Sequence, residues 1–181
     1  MIQDPRLCEI FPLPPLVAYK RPTNIKLKLI RAKIPTPTAR PNLKTMKKCG
    51  KCAACPFIKE GRKIEATQSN FKMDINVSAN CLTTNVIYML GCKRCPQQYV
   101  GESERSLKER FLEHKGYVSN NILTKAKGEH FNQKGHSVSD MEITIIEKIF
   151  NQDPQFRKQR EKMFINKFNT RYKGINRNTG G

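Results

Sequence analysis

The sequence reads VIYMLGCKRCPQQYVG at residues 86–101, and the rest of the chain is organised around this stretch. Residues 86–90 are apolar and predict a β-strand, residues 92–97 are typical of a turn, and residues 98–101 predict the returning strand. Such a hairpin places the two tyrosines of the stretch, Tyr88 and Tyr99, on neighbouring strands.

A helix is expected soon after the hairpin. Ser106 and Glu109 match the Ser-x-x-Glu capping box, in which the hydroxyl and the carboxylate bind the first free amides of a helix. We expect this helix to run from Leu107 to about Val118. Residues 119–140 are polar and are predicted to form a loop.

A third strand and a second long helix complete the predicted domain. Residues 142–149 have the apolar content of a strand, and Asp153-Pro154 predicts the start of an amphipathic helix that ends near Phe168. The order β-β-α-β-α predicts a small α/β sandwich, in which helices flank a three-stranded antiparallel sheet.

Composition divides the chain into three parts. Residues 1–48 are rich in proline and basic side chains, which predicts an irregular basic arm, although residues 24–33 mix the strand and helix periods. Residues 49–81 carry four cysteines and few large apolar side chains, so this part is expected to need zinc in order to fold. Residues 82–181 contain the hairpin and form the predicted main domain.

The chain is strongly basic. It has 34 Lys and Arg against 15 Asp and Glu, a net charge of +19. The excess is spread, because residues 1–80 hold 16 basic and 5 acidic side chains (+11) and residues 81–181 hold 18 and 10 (+8). This charge indicates nucleic acid as the partner, with phosphate contacts in both halves. The alternative is a solvated basic surface without a ligand.

The cysteines indicate metal binding. No apolar run is long enough for a signal peptide or a membrane span, which predicts an intracellular, reducing location, nuclear or cytoplasmic, without membrane association. In such a compartment Cys-x-x-Cys pairs predict metal ligands rather than disulfides.

Two structural zinc sites are predicted. The first is a Cys₂His₂ set of Cys92, Cys95, His130 and His136, which would attach the polar loop to the hairpin turn. The second is a Cys₄ set of Cys49, Cys52, Cys55 and Cys81. Cys8 then belongs to neither set. Two alternatives stay open: the thiols of the second set are free or exchange between sites, and the first set consists of ordinary buried cysteines and surface histidines.

Several side chains fit the needs of phosphodiester hydrolysis. This reaction requires a group that activates water, a cation for the phosphate and usually a carboxylate-bound divalent metal. Taken singly, each candidate is more often a core or surface residue, and only the combination indicates catalysis. The candidates are the phenols of Tyr88 and Tyr99, Arg110 and His114 on one face of the first helix, Glu161 in the second helix, and Asn176 near the end.

In order and spacing these residues resemble the motifs of GIY-YIG nucleases, and the resemblance implies that residues 82–181 are an endonuclease domain. It implies that Tyr88 is the general base or orients the water, assisted by Tyr99, and that Arg110 stabilises the charge of the transition state. Glu161 would bind one Mg²⁺ or Mn²⁺. His114 would hold the nucleophile or the phosphate, and Asn176 would orient the site.

The chain departs from that pattern at two places. Val86 replaces the first glycine of the motif, which a strand tolerates. Glu102-Ser103 stands where some relatives have a lysine, so the cation beside the base is expected to be Arg105, Arg110 or His114. The candidate contacts to nucleic acid are Lys93, Arg94, Arg105 and Lys108.

A second resemblance covers nearly the whole chain. The two cysteine sets, the histidine pair, PPLVA at residues 14–18 and IRAKIP at residues 30–35 are similar to the carboxyl-terminal part of Penelope-like retroelement proteins. This resemblance implies that a reverse transcriptase precedes the nuclease in the full protein and that Met1 need not be a natural start. It further implies nicking of chromosomal DNA in the nucleus to prime reverse transcription, with the basic arm adding contacts to DNA or RNA.

Two other hypotheses compete with the endonuclease. The first is a non-catalytic, zinc-stabilised nucleic-acid-binding module of a larger reverse-transcriptase polypeptide. The second makes residues 1–81 chiefly a docking surface for the rest of that polypeptide.

Overall fold

The computed structural model describes residues 44–178. The predicted arm before residue 44, with Cys8 and residues 24–33, lies outside the described residues. The strands are β1 (Lys63–Glu65), β2 (Lys72–Asp74), β3 (Val86–Cys92), β4 (Gln98–Ser103) and β5 (Met141–Lys148). The helices are α1 (Leu107–Ser119), α2 (Ala126–Phe131), α3 (Pro154–Lys167) and α4 (Thr170–Lys173), with short 3₁₀ turns at Cys55–Phe57 and Val138–Asp140.

A three-stranded antiparallel sheet forms the centre of the domain, in the order β4-β3-β5. All seven residues of β3 are buried, which is why this stretch is continuously apolar instead of alternating. The hairpin register sets Tyr88 opposite Gly101 and Leu90 opposite Tyr99. The predicted fold class, a three-stranded sheet flanked by helices and preceded by a cysteine cluster, is therefore confirmed.

The two long helices begin where their capping residues predict. The Ser106 hydroxyl accepts from the Glu109 amide at 3.3 Å, and the Glu109 carboxylate accepts from the Ser106 amide at 3.0 Å. Asp153 caps α3 by accepting from the Gln155 amide at 2.9 Å. Among residues 44–178, none of the helices combines the length and the apolar character that crossing a membrane requires.

The loop prediction for residues 119–140 is wrong at α2 and at the 3₁₀ turn Val138–Asp140. A six-residue helix is too short to show an apolar period and too short to be stable alone, so tertiary contacts must form it. Gly128 supplies one such contact, because a Cβ at this position would collide with the Ile122 carbonyl and lie 3.2 Å from the Tyr117 carbonyl oxygen. Phe131, fully buried, supplies another.

Both outer edges of the central sheet are covered by other segments of the chain. Beside β5, the Lys59 amide donates to the Ile143 carbonyl at 2.9 Å, and Phe57 stacks against Phe111 of α1 with ring centroids 4.8 Å apart. Beside β4, the Ile175 amide donates to the Gln98 carbonyl at 2.8 Å. The cysteine-rich part and the segment after α4 are therefore packed onto the sheet.

Candidate active site

The Tyr88 phenol lies at the centre of a buried polar cluster between β3 and α1. Its oxygen is 2.6 Å from His114 Nε2 and accepts a hydrogen bond from Arg110 Nε at 3.1 Å. Tyr88 and His114 have no exposed surface. Arg110 and His114 reach the same oxygen because they are one helical turn apart on the inner face of α1.

Gly101 makes room for this cluster. A Cβ at Gly101 would lie 2.5 Å from the Tyr88 oxygen and 2.7 Å from a ring carbon of Tyr99. Real side chains do not approach so closely, so any larger residue would displace one of the phenols. The glycine of the Tyr-Val-Gly motif is thus explained by close approach across the hairpin.

Burial fixes the protonation states of the three rings. It raises the pKa of Tyr88 well above its usual value near 10, and the Tyr99 charge adds to this effect. Burial also raises the pKa of Tyr99 to about 12, with repulsion from Glu161 next in importance. For His114, burial and the charges of Lys127, Arg110 and Arg105 lower the pKa well below its usual value. At neutral pH the phenol is therefore protonated and the imidazole neutral, so Tyr88 donates to His114.

Glu161 faces this cluster from α3 and is only 6% exposed. Burial raises its pKa to about 7, and the charge of Glu102 contributes in the same direction. Its own charge acts on Tyr88, Tyr99 and Lys127. The structure thus brings this carboxylate together with the tyrosines and Arg110.

The surroundings of Glu161 fit a divalent cation. Within residues 44–178 no lysine or arginine is close enough to form an ion pair with its carboxylate. Lys127 and Arg110 act on it only from a longer distance, and a buried carboxylate without a direct counter-charge is costly unless a metal compensates it. One protein carboxylate is also typical of Mg²⁺ sites, where water and substrate phosphate supply the other ligands.

Lys127 is a member of the cluster that sequence reasoning missed. Its ammonium lies 3.7 Å from the centroid of the Tyr99 ring, and the residue is only 9% exposed. Burial and the charge of Arg110 lower its pKa to about 8. Nothing in the sequence separates this lysine from the other basic residues, because the helix that carries it was not predicted.

Arg157 is a second residue that the sequence did not reveal. It is 5% exposed, pairs with Glu102 and donates to Asn85 Oδ1 at 3.2 Å. One helical turn before Glu161, it attaches α3 to β4 and so fixes the position of the carboxylate. A cavity of about 490 Å³ opens beside it, lined by Arg110, Arg105 and Glu102 among others.

Asn176 is placed next to the site but does not point into it. Its side chain makes two hydrogen bonds with the backbone of Val100, accepting from the amide at 2.9 Å and donating to the carbonyl at 2.8 Å. Val100 lies between Tyr99 and Gly101, so the amide holds the strand on which the second phenol depends. The orienting role expected for Asn176 stays a prediction.

The Cys₂His₂ set is assembled beside the site. The ligand atoms of Cys92, Cys95, His130 and His136 all lie within 4.8 Å of one another. The Cys95 sulfur is 3.5 Å from His130 Nε2, and both ring nitrogens of His136 are buried without a hydrogen-bond partner. Orphaned imidazole nitrogens next to two thiols fit a tetrahedral zinc ion.

The Cys₄ set is assembled as well. The sulfur of Cys55 lies 3.4 Å from that of Cys52 and 3.7 Å from those of Cys49 and Cys81. Sulfurs around one zinc at ~2.3 Å are expected about 3.8 Å apart, whereas a disulfide would hold them at ~2.05 Å. The spacing therefore fits four thiolates around one ion.

The candidate phosphate contacts are on the surface or near it, and most have protein partners. Arg94 pairs with Asp140 at 3.1 Å, Lys93 donates to the Ser139 carbonyl at 3.1 Å, and Arg105 pairs with Glu113. Lys108 is partly exposed on α1. Their contact with nucleic acid stays a prediction.

Comparison with known protein families identifies a family for residues 84–176. The family model of the GIY-YIG catalytic domain matches residues 84–176, which is 93 of the 181 residues. No curated protein matches the chain, and no solved structure matches it. The matched range contains both tyrosines, the α1 pair, Glu161 and Asn176. The chain belongs to the GIY-YIG catalytic domain family, and its central sheet and helices are a nuclease fold.

Proposed function

We propose that the chain is a metal-dependent DNA endonuclease that hydrolyses phosphodiester bonds and introduces nicks. One observation supports this most directly: the buried Tyr88 phenol is bound to a neutral imidazole and to a guanidinium, and it faces an unpaired buried carboxylate. A buried tyrosine that served only the core would not need three ionisable neighbours, each with a desolvation cost.

Tyr88 and His114 are proposed to carry the proton. As the water oxygen bonds to phosphorus, its proton passes to the Tyr88 oxygen while the phenol proton passes to His114 Nε2, 2.6 Å away. The bond from phosphorus to the leaving oxygen breaks, and solvent protonates that oxygen. The phenol therefore never has to ionise fully, which its raised pKa would oppose. The low pKa of His114 favours release of the proton after the step.

Arg110 and Glu161 are proposed to stabilise the negative charge of the phosphate, Arg110 directly and Glu161 through a bound metal ion. Arg110 is 24% exposed at its side chain and borders the cavity beside the cluster, so its free donors can bind a phosphate oxygen. Glu161 would hold Mg²⁺ or Mn²⁺, which would supply Lewis acidity at the phosphate and the leaving oxygen. The two cysteine sets would each hold a structural Zn²⁺.

The wider context follows from the resemblance to Penelope-like retroelements. We infer that the nicks prime reverse transcription in the nucleus, that a reverse transcriptase precedes this part in the full protein, and that the basic arm contacts DNA or RNA. The net charge of +19 supports tight, salt-sensitive binding to a polyanion.

Plasmid nicking tests the proposal. The parent chain, loaded with zinc, is expected to nick supercoiled plasmid with Mg²⁺ or Mn²⁺ and not without them. Tyr88→Phe removes one oxygen and is expected to slow nicking by about 10²- to 10⁴-fold without changing DNA affinity. Tyr172→Phe is the matched control, because Tyr172 is 79% exposed.

Glu161→Gln is expected to lose the response to Mg²⁺ and to keep DNA binding. Parent-rate nicking by either Tyr88→Phe or Glu161→Gln would refute the assigned role. A parent chain that binds DNA but is inert with every divalent metal would favour the non-catalytic zinc module instead.

A further inference from the structure

Lys127 is a buried charge whose place in the site needs an explanation. Among the described residues, no carboxylate lies within ion-pair distance of its ammonium, which instead sits 3.7 Å above the Tyr99 ring. Burying an ammonium without a counter-ion is unfavourable, and a cation–π contact returns only about 1–2 kcal/mol. The charges of Glu161 and Glu113 act on this ammonium only from beyond ion-pair distance, and such a lysine in a cluster of ionisable groups is expected where a further anion binds.

The helix α2, which carries Lys127, is not stable without contacts to other parts of the chain. α2 has six residues and no capping side chain at its start. Asn132 Nδ2 donates to the carbonyls of Gly128 and Val118 at 2.8 and 3.1 Å, and Phe131 is buried. The bond to Val118 attaches the end of α2 to α1, and the close approach of Gly128 to the Tyr117 carbonyl attaches its middle. None of them joins α2 directly to the hairpin that carries Tyr99, and the ion pair between Glu129 and Arg177 reaches only the segment after α4.

The Cys₂His₂ set makes that connection. His130 follows Lys127 by one helical turn, and its Nε2 is 3.5 Å from the sulfur of Cys95 in the hairpin turn. Cys92 ends β3, four residues after Tyr88. A metal ion held by the two cysteines and the two histidines would therefore link α2 directly to the strand pair that carries both phenols.

We propose that Lys127 is a phosphate-binding residue of the catalytic centre and that metal in the Cys92–Cys95–His130–His136 site positions it there. Without the metal, α2 loses its link to the hairpin and the ammonium moves out to water. The zinc site is then required for cleavage and not only for folding. This inference rests on the proposed nuclease activity.

The test uses the full chain loaded with zinc. His136→Ala removes one ligand, and Gln133→Ala, an exposed residue of the same loop, is its control. Lys127→Met removes the charge without touching a ligand, and Lys125→Met, an exposed lysine just before α2, is its control. Three quantities are measured: zinc content, acylation of each lysine by an amine reagent read by mass spectrometry, and single-turnover nicking alongside DNA affinity.

In the parent chain we expect Lys127 to be acylated much more slowly than Lys125. His136→Ala is expected to lose one zinc, to expose Lys127 to acylation and to slow nicking about 10²-fold. Lys127→Met should slow nicking by a similar factor with little change in affinity, Lys127→Arg should restore part of the rate, and the double variant should be no slower than the slower single variant.

Two results would overturn the inference. One is parent-rate nicking by Lys127→Met, which is decisive even if His136→Ala fails to fold. The other is a His136→Ala chain that loses zinc while Lys127 stays protected from acylation. A parent chain without any nicking would refute the nuclease proposal instead, and the acylation result would still decide whether the metal positions Lys127.

Discussion

Glu161 is a buried acid whose charged form is unfavourable until a cation arrives. Its pKa is raised from an ordinary 4.5 to about 7. The folded chain therefore keeps a proton that the unfolded chain releases, so the contribution of this group to stability is present below pH 4.5 and lost as the pH rises through 7. At about 1.4 kcal/mol per pKa unit the loss is on the order of 3 kcal/mol.

Glu161→Gln should therefore stabilise the chain in a pH-dependent way. Without added Mg²⁺ and with zinc retained, we expect the variant to exceed the parent in free energy of unfolding by roughly 1–3 kcal/mol at pH 8 and by little at pH 5. Urea unfolding at both pH values measures this. An equal difference at pH 5 and pH 8 would show that the carboxylate is not the titrating group.

At the scale of single residues, the sequence located the groups whose type and order are diagnostic. Tyr88, Tyr99, Arg110 and Glu161 were candidates, and the fold brings them together. Lys127 could not be predicted as a site residue, because nothing in the sequence distinguishes it among 34 basic residues. Its proposed role depends on its burial against Tyr99. The packing of a short helix, not a local pattern, puts it there.

At the scale of elements, a side chain replaces strand pairing beside the site. The Asn176 amide both accepts from and donates to the backbone of Val100, as a neighbouring strand would. Asp at this position has the same shape but cannot donate, so it would face the Val100 carbonyl with a negative charge.

Asn176→Asp should destabilise the chain by about 1–3 kcal/mol, since a buried carbonyl loses its donor. Nicking should fall as well, because Tyr99 and Gly101 flank Val100. Asn178→Asp is the control, as Asn178 is exposed two residues further on. Equal unfolding midpoints for the two variants would rule out this role.

Elements with a long period or a capping signal were the predictable ones. The helix from Leu107 was placed by its capping box, and α3 by Asp153-Pro154. The strands β1 and β2, of three residues each, have no such signal, and neither has α2. Their formation depends on distant contacts that no local window contains.

At the scale of the whole molecule, the Cys₄ set connects the cysteine-rich part to the nuclease core. Cys81 is fully buried, its carbonyl accepts from the Lys108 amide at 2.8 Å, and its sulfur faces Cys55. Phe57, two residues after Cys55, stacks on Phe111 of α1. A metal in this set would therefore stabilise the cysteine-rich part at its contact with α1.

Cys81→Ser should lower the zinc content from about two to about one per chain and reduce the free energy of unfolding by roughly 3 kcal/mol or more. This is less than the ~10 kcal/mol that zinc contributes to isolated zinc-finger peptides, because the contacts of Phe57 with Phe111 and of Lys59 with Ile143 remain. Cys8→Ser is the control, since Cys8 belongs to neither of the two ligand sets. Metal analysis and thermal unfolding on the same preparations measure both effects, and unchanged zinc content in Cys81→Ser would contradict the assignment.

The covered edges of the central sheet bear on how this chain behaves at high concentration. Open strand edges are templates for self-association and amyloid-like stacking, and an apolar strand such as β3 increases that hazard. Here the Lys59 amide binds the Ile143 carbonyl at the outer edge of β5, and residues 175 and 176 bind Gln98 and Val100 at that of β4. The chain itself obstructs growth of the sheet by a second molecule at these positions on both sides, which lowers the tendency to aggregate when molecules crowd along a polyanion.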